Sequence, residues 1–284
     1  MARRVAVVTD STSYLPKRWA QDLQIITVPV QVIVAGKAYQ EGVDISTADV
    51  AQALREWEPV STSRPSPSEF AKAYQQAADS GAESIVSAHL SADLSGTVET
   101  AMLAARDSPI PVEVVDTRTL TMPLGFACVS GAKVADEGAD MFEVAAAIRG
   151  RAAVSDCYFY VDSLEYLRRG GRMGKTAAAI GTALRVKPIL KVDNGRVALV
   201  EKVRTSSKAL ARLADMALTQ IAACGGEVDV AVQHIGAPDR AAALAEVLGK
   251  ELGGQEIIEI EIGAVVGTHV GPNTVSAVVA PRTW

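Results

Sequence analysis

The sequence predicts an α/β fold, with a mostly parallel sheet flanked by helices in its first half and a mixed α/β second half. Three observations carry this expectation. Short apolar runs at residues 5–8, 84–88 and 111–116 alternate with helical patterns, the rhythm of strands joined through covering helices. The run Val5-Ala6-Val7-Val8 is continuous and does not alternate, as expected of a strand buried on both faces. Near Ala153 the rhythm changes, and a hairpin signal with Asn194-Gly195 at its turn follows.

The elements follow in order. Residues 5–8 form the first strand, and Thr9-Asp10-Ser11-Thr12-Ser13 is a polar loop at its carboxyl end, where ligands gather in open α/β sheets. Pro16 starts a helix through Ala20. Residues 25–34 are a second β-rich run, closed by a turn at Ala35-Gly36-Lys37. Ser46 caps a helix over 48–56. Residues 60–70 are a hydroxyl-dense loop stiffened by Pro65 and Pro67. Pro67 suits the first turn of a helix that presents Phe70, Ala73, Tyr74 and Ala77 on one face. A strand around Ile85-Val86 leads through Leu94-Ser95-Gly96-Thr97 into a helix over 98–105. A strand at 111–116 and helices over 123–136 and 141–149 complete the first half.

In the second half a strand at 158–161 is followed by Asp162-Ser163, capping a short helix over 164–168 that stops at Gly170-Gly171. An alanine-rich helix then runs to Leu184, and the hairpin spans 188–200. A helix over 206–223, a strand at 228–233, a helix over 238–252 and strands at 257–262 and 275–279 follow. Residues 267–273, between the last two strands, read as a polar loop.

Composition narrows the function. The 284 residues are 49% hydrophobic and 21% charged, an ordinary globular balance with enough chain for a large core. A net charge of -5 argues against a nucleic-acid footprint. No apolar run approaches the roughly 20 residues that span a bilayer. The apolar stretch after Arg3-Arg4 ends at Thr9-Asp10, too early for a signal peptide, so no membrane insertion is expected. Cys128, Cys157 and Cys224 are scattered and odd in number, which fits reduced thiols in a cytoplasmic protein. His89, His234 and His269 stand far apart, so metal-ligand spacing is absent.

The most informative stretch is Leu94-Ser95-Gly96-Thr97. A strand ends, the backbone turns through glycine, and a helix begins. Its unpaired N–H groups can hold an anion without lysine or arginine. From this stretch alone, a helix N-cap at Ser95 with a tight turn is the favoured reading. Polar loops at 10–13, 62–65, 95–97 and 269–273 together offer hydroxyls, backbone N–H groups and one imidazole, a set able to bind carboxylate or phosphate. Their scarcity of positive charge argues for a small monoanion. No P-loop lysine and no dinucleotide fingerprint appears. The competing reading is a serine hydrolase or phosphotransferase built from Ser95, His269 and Asp10 or Asp116. The sequence Asp93-Leu94-Ser95 lacks the glycine two before the serine that a nucleophile elbow needs. His89 and His234 read as structural. Arg168, Arg169 and Arg172 form a basic cluster, either a solvated helix end or a surface for an acidic or phosphate-bearing partner.

Assembled in order, the motifs Thr9-Asp10-Ser11-Thr12-Ser13, Thr62-Ser63-Arg64-Pro65-Ser66-Pro67, Leu94-Ser95-Gly96-Thr97, Asp162-Ser163-Leu164-Glu165-Tyr166-Leu167, Gly170-Gly171-Arg172, Lys187-Pro188-Ile189 and Gly267-Thr268-His269-Val270-Gly271-Pro272 make the chain resemble the DegV family of fatty-acid-binding, FakB-type proteins. The resemblance implies one domain over 3–282 with two lobes, 1–152 and 153–284, and a long-chain fatty acid between them. It implies that Thr62, Ser95, the Gly96 backbone and His269 hold the carboxylate, with Ser11, Ser63 and Thr97 adjoining. Arg172 would face a partner fatty acid kinase, which uses ATP to make an acyl phosphate. The protein itself would be a carrier and not an enzyme, with no cofactor and no metal; a lipid-sensing regulatory module is the alternative within the same resemblance. Each buried methylene of an acyl chain contributes about 0.8 kcal/mol, so an apolar tunnel would supply much of the affinity. The chain departs from the family pattern at Arg64, commonly glutamine, at Asp93, usually small or neutral, and at Asn273-Thr274, where a second glycine is often found.

Overall fold

Strand β1 (Val5–Asp10) is buried along its whole length, and its two faces serve different layers. Val5 and Val7 pack into one core with α5 (Met122–Asp136) and α6 (Met141–Val154), through Leu124, Ala127, Val144 and Ile148. Ala6 and Val8 pack into another with α3 (Pro67–Asp79) and α4 (Thr97–Ala105), through Phe70, Tyr74 and Ala101. Alternation of side chains across the strand produces this division. Strand β6 (Ser84–His89) repeats it, with Val86 and Ala88 on the first side and Ile85 on the second. A parallel four-stranded sheet results, in the order β2-β1-β6-β7, with β2 at Ile26–Val28 and β7 at Val112–Asp116. Val7 lies beside Val86, and His89 beside Asp116. The carboxyl ends of β1, β6 and β7 therefore lie at one edge, and they carry the polar loops.

This computed structural model describes residues 3–173, 186–225 and 227–282. The alanine-rich helix expected to end at Leu184 lies outside the described residues. The chain divides into two units, Met1–Gln31 with Ser63–Val154, and Val32–Thr62 with Ser155–Thr283. The parallel sheet and its helices, together with α1 (Lys17–Asp22), make the first unit.

The second unit holds a six-stranded mixed sheet in the order β10-β9-β8-β13-β11-β12. Its strands are β8 (Asp156–Tyr160), β9 (Lys187–Asp193), β10 (Arg196–Val203), β11 (Val228–His234), β12 (Ile257–Glu261) and β13 (Val275–Pro281). Residues Val228, Val230 and Val232 of β11 and Val275, Ala277 and Val279 of β13 point to one face. There they meet Leu213, Ala217 and Ile221 of α8 (Ser206–Ala223) and Ala241, Leu244 and Leu248 of α9 (Pro238–Glu251). The β9–β10 hairpin turns at Asn194 and Gly195, both with positive φ, as the Asn-Gly signal requires. The short helix α7 (Glu165–Arg169) has Leu164 at its N-cap with no side-chain cap, and the Ser163 hydroxyl instead accepts the Glu165 N–H.

Four expectations are corrected here. The β-rich run at 25–34 is two strands, β2 and β3 (Gln31–Val34), in different sheets. Strand β3 joins β4 (Lys37–Gln40) and β5 (Val60–Ser63), the latter formed by residues read as loop. Residues 32–62, expected in the N-terminal lobe, belong to the second unit. There the Glu41 carboxylate accepts the Val265 N–H at 2.7 Å, and Thr47 of α2 (Thr47–Arg55) reaches the Ile262 carbonyl at 3.3 Å. Finally, residues expected as a polar loop at 267–273 contain most of a helix, α10 (Ala264–Val270).

Candidate functional site

In the first unit the expected anion site lies at the start of α4. The N-cap is Gly96 and not Ser95, with φ -75° and no side-chain cap. Ser95 instead shares a hydrogen bond with the buried Thr97 hydroxyl at 2.9 Å. The first-turn N–H groups of this helix have no intrahelical acceptor, and its N-terminus carries a partial positive charge. The local chemistry is thus two hydroxyls beside backbone donors. Glycine at 96 also admits a neighbour: a Cβ there would stand 2.5 Å from Nη1 of Arg64. Arg64 pairs with Glu99 at 3.3 Å. The expectation of a loop set poor in positive charge missed this guanidinium.

The polar loop after β1 is a single 3-10 turn, Ser11–Ser13, capped by Asp10. Asp10 is fully buried and anchors several groups. One oxygen accepts from the Thr12 N–H and hydroxyl at 3.0 and 2.5 Å. The other accepts from the Leu90 N–H and from His89 Nδ1, both at 3.0 Å. His89 Nε2 meets the Ser87 hydroxyl at 2.7 Å, and Tyr74 donates to Ser87 at 3.0 Å. One orientation satisfies every donor in this chain, Tyr74 to Ser87 to His89 to Asp10. Burial pushes the Tyr74 phenol up to about 12, so it remains a donor. Ser87, His89 and Asp10 thus form a Ser–His–Asp series, yet all three are 0% exposed and no substrate can reach the serine. The series is a clamp. It ties the end of β1 to residue 90, immediately before the loop that carries Ser95. Ser87 and His89 lie two apart on one strand, a spacing that puts both on one face.

Elsewhere in this unit, Ser11 accepts the Val30 N–H at 3.1 Å, and Ser63 donates weakly to the Arg64 carbonyl at 3.4 Å. Asp93 faces Arg118 at 3.5 Å. Asp116 accepts from the N–H groups of Ala92 and Arg118. Asp10 and Asp116 are therefore both hydrogen-bonded within this unit.

In the second unit, Thr62 near the end of β5 meets His269 in the last turn of α10. The distance from Thr62 Oγ1 to His269 Nε2 is 2.8 Å. Burial first, and the positive charge of Arg172 second, hold the imidazole well below its ordinary 6.5, at about 4, so it is neutral near neutral pH. Nδ1 is buried and has no hydrogen-bond partner among the described residues. Gly170 permits this close packing, because any Cβ at 170 would collide with Nδ1. A proton on Nδ1 would leave a buried N–H unpaired, a rare state. In the Nε2–H tautomer the imidazole donates to Thr62, which leaves the threonine proton free to donate elsewhere. Sequence reasoning took Gly170 for a helix stop. Its contact with His269, 99 residues on, has no local signal.

Arg172 turns its guanidinium back onto the Gly170 carbonyl at 2.6 Å and is half-buried. Arg168 and Arg169 both pair with Glu165 at 2.7 Å, and Arg169 lies 5.2 Å from the ring centre of Trp57. Arg168 and Arg169 thus share the single carboxylate of Glu165, and the cluster is only partly neutralised. Asn273 takes φ +63° at the turn into β13, a conformation asparagine tolerates. Among the described residues, no cluster of histidine, cysteine, aspartate and glutamate could hold a metal, and no helix is long and apolar enough to cross a membrane.

Comparison with known proteins agrees with these motifs. A family model described as "Uncharacterised protein, DegV family COG1307" matches residues 4–282. A DegV domain-containing protein of Streptomyces coelicolor is 49% identical over 283 residues, spanning 99% of this chain and 100% of the relative. Among solved structures, a DegV family protein from Thermus thermophilus described for its fatty acid binding is 33% identical. It covers 98% of this chain and 99% of its own, with a TM-score of 0.90. DegV of Bacillus subtilis, described as a fatty acid binding protein, is 30% identical over 99% of this chain and 100% of its own, also at 0.90.

Proposed function

That this chain belongs to the DegV family is the premise from which we propose that it binds a long-chain fatty acid and presents the carboxylate to a fatty acid kinase. The kinase, using ATP, would form the acyl phosphate, and this chain would act as carrier. In this reading the carboxylate takes donors from Thr62, Ser95, the Gly96 backbone and His269, with Ser11, Ser63 and Thr97 adjoining and Arg172 on the side of the kinase. The Thr62–His269 pair carries the reading: a neutral imidazole that donates its Nε2 proton to Thr62 leaves the threonine hydroxyl as a donor for the carboxylate. Hydrogen bonds to a charged group contribute about 1.5–3 kcal/mol each. The solved family members from Thermus thermophilus and Bacillus subtilis, described as binding fatty acids, lend the ligand class its support.

Mass spectrometry of a solvent extract of the purified protein should find a long-chain acid, and added palmitate should bind. The Thr62→Ala/Ser95→Ala double variant should bind palmitate about 100–10,000-fold more weakly, while hexadecanol binding changes little. Equal loss of both would contradict the head-group role. Incubation with a fatty acid kinase and ATP should yield acyl phosphate. Palmitate binding without that product would leave a lipid-binding protein and remove the carrier role.

A further inference from the structure

Arg64 stands where a cation is least favoured. Its side chain lies across the first turn of α4, so that a Cβ on Gly96 would be 2.5 Å from Nη1 and 3.1 Å from Cδ. The amino end of a helix attracts anions and repels cations. Gly96 permits the approach by lacking a side chain, but it does not compensate the charge. The ion partner of Arg64 is Glu99, at 3.3 Å, and the two side chains are 54% and 75% exposed. Exposed pairs of this kind contribute little, about 0–1 kcal/mol. The guanidinium is thus held loosely against a site of its own sign. An anion beside Ser95 and Gly96 would be attracted by the guanidinium and by the helix end together, and would relieve their repulsion. Arg64 also borders an open hollow of about 420 Å³, shared with Pro67, Glu99 and Thr100, which gives the side chain room to turn.

We propose that Arg64 is a specificity-determining residue of the head-group site. In the free protein Glu99 holds it. When an anionic head group occupies Ser95–Gly96, Arg64 leaves Glu99 and pairs with it, so the protein selects ionised acids over neutral lipids of equal chain length. This rests on the fatty-acid reading, deepens it to the ionisation state of the ligand, and makes Glu99 a competitor for the same cation.

The test is displacement of a fluorescent fatty acid by palmitate and by hexadecanol, at low and high salt, from the full-length wild type, Arg64→Gln and Glu99→Gln. Arg64→Gln should bind palmitate about tenfold more weakly, retain hexadecanol binding and lose salt dependence. Glu99→Gln should bind palmitate several-fold more tightly. Wild-type palmitate binding matched by Arg64→Gln, with unchanged salt dependence, overturns the role of Arg64 and leaves the fatty-acid reading standing. Equal loss of palmitate and hexadecanol in Arg64→Gln also overturns it, because the side chain would then act through shape. No palmitate binding by the wild type overturns the fatty-acid reading and the role of Arg64 with it.

Discussion

The position of one proton on His269 decides what Thr62 can do. Nδ1 has no hydrogen-bond partner among the described residues and Nε2 meets the Thr62 hydroxyl, so the protonated nitrogen fixes whether Thr62 donates or accepts there. The same burial has a cost on acidification. The unfolded chain takes up a proton near pH 6.5 and the folded chain only near 4, so between those values the unfolded state binds more protons. The associated stability is fully present above pH 6.5 and is lost as pH falls toward 4, by roughly 3 kcal/mol. Urea denaturation across this range should show that slope in the wild type and a shallower one in His269→Gln. Identical slopes would mean that His269 titrates normally. Thr62, Ser95 and His269 were legible as polar residues in short motifs. Arg64 was legible only as a departure from a family pattern, because its place over Gly96 depends on two segments 32 residues apart.

Elements with strong local signals formed where the sequence placed them. Ser46 and Ser66 each close a reciprocal capping box, with Asp49 and Glu69. The Ser66 hydroxyl receives the Glu69 N–H and the Glu69 carboxylate receives the Ser66 N–H, satisfying two first-turn donors. Helix α3 carries Phe70 and Tyr74 into the core, so its first turn bears on the whole layer. Ser66→Ala should lower stability by about 1 kcal/mol, read as a shift in the urea midpoint at unchanged slope. Helix α4 lacks a side-chain cap, which leaves its first turn open to other groups. Short elements escaped. Strand β5 spans Val60–Ser63, whose serines and threonine read as loop, and α10 is seven residues with glycine at both ends. Each is held by packing partners distant in sequence, and intrinsic propensity is too weak at that length to announce either.

At the scale of the molecule, the chain leaves its first unit at Gln31, enters the second for residues 32–62, and returns. The excursion is tied down by the buried Glu41 contact to Val265 and by Thr47 on Ile262. The second unit is therefore discontinuous. A fragment of residues 153–284 should be protease-sensitive with poorly dispersed amide resonances, and co-expression with residues 32–62 should improve both. A fragment folded by itself would show that the excursion is dispensable. The continuous run in β1, the Asn-Gly hairpin and the strand–helix rhythm determined the α/β class and the parallel sheet, since hydrophobic period and turn chemistry are local. Ordered motifs determined the family. Tertiary structure alone decided that Asp10 clamps His89, that residues 32–62 serve the second unit, that Gly170 packs against His269, and that Arg64 covers the start of α4. Each of these depends on which distant groups meet when water is excluded, and that is settled by packing rather than by the order of neighbouring residues.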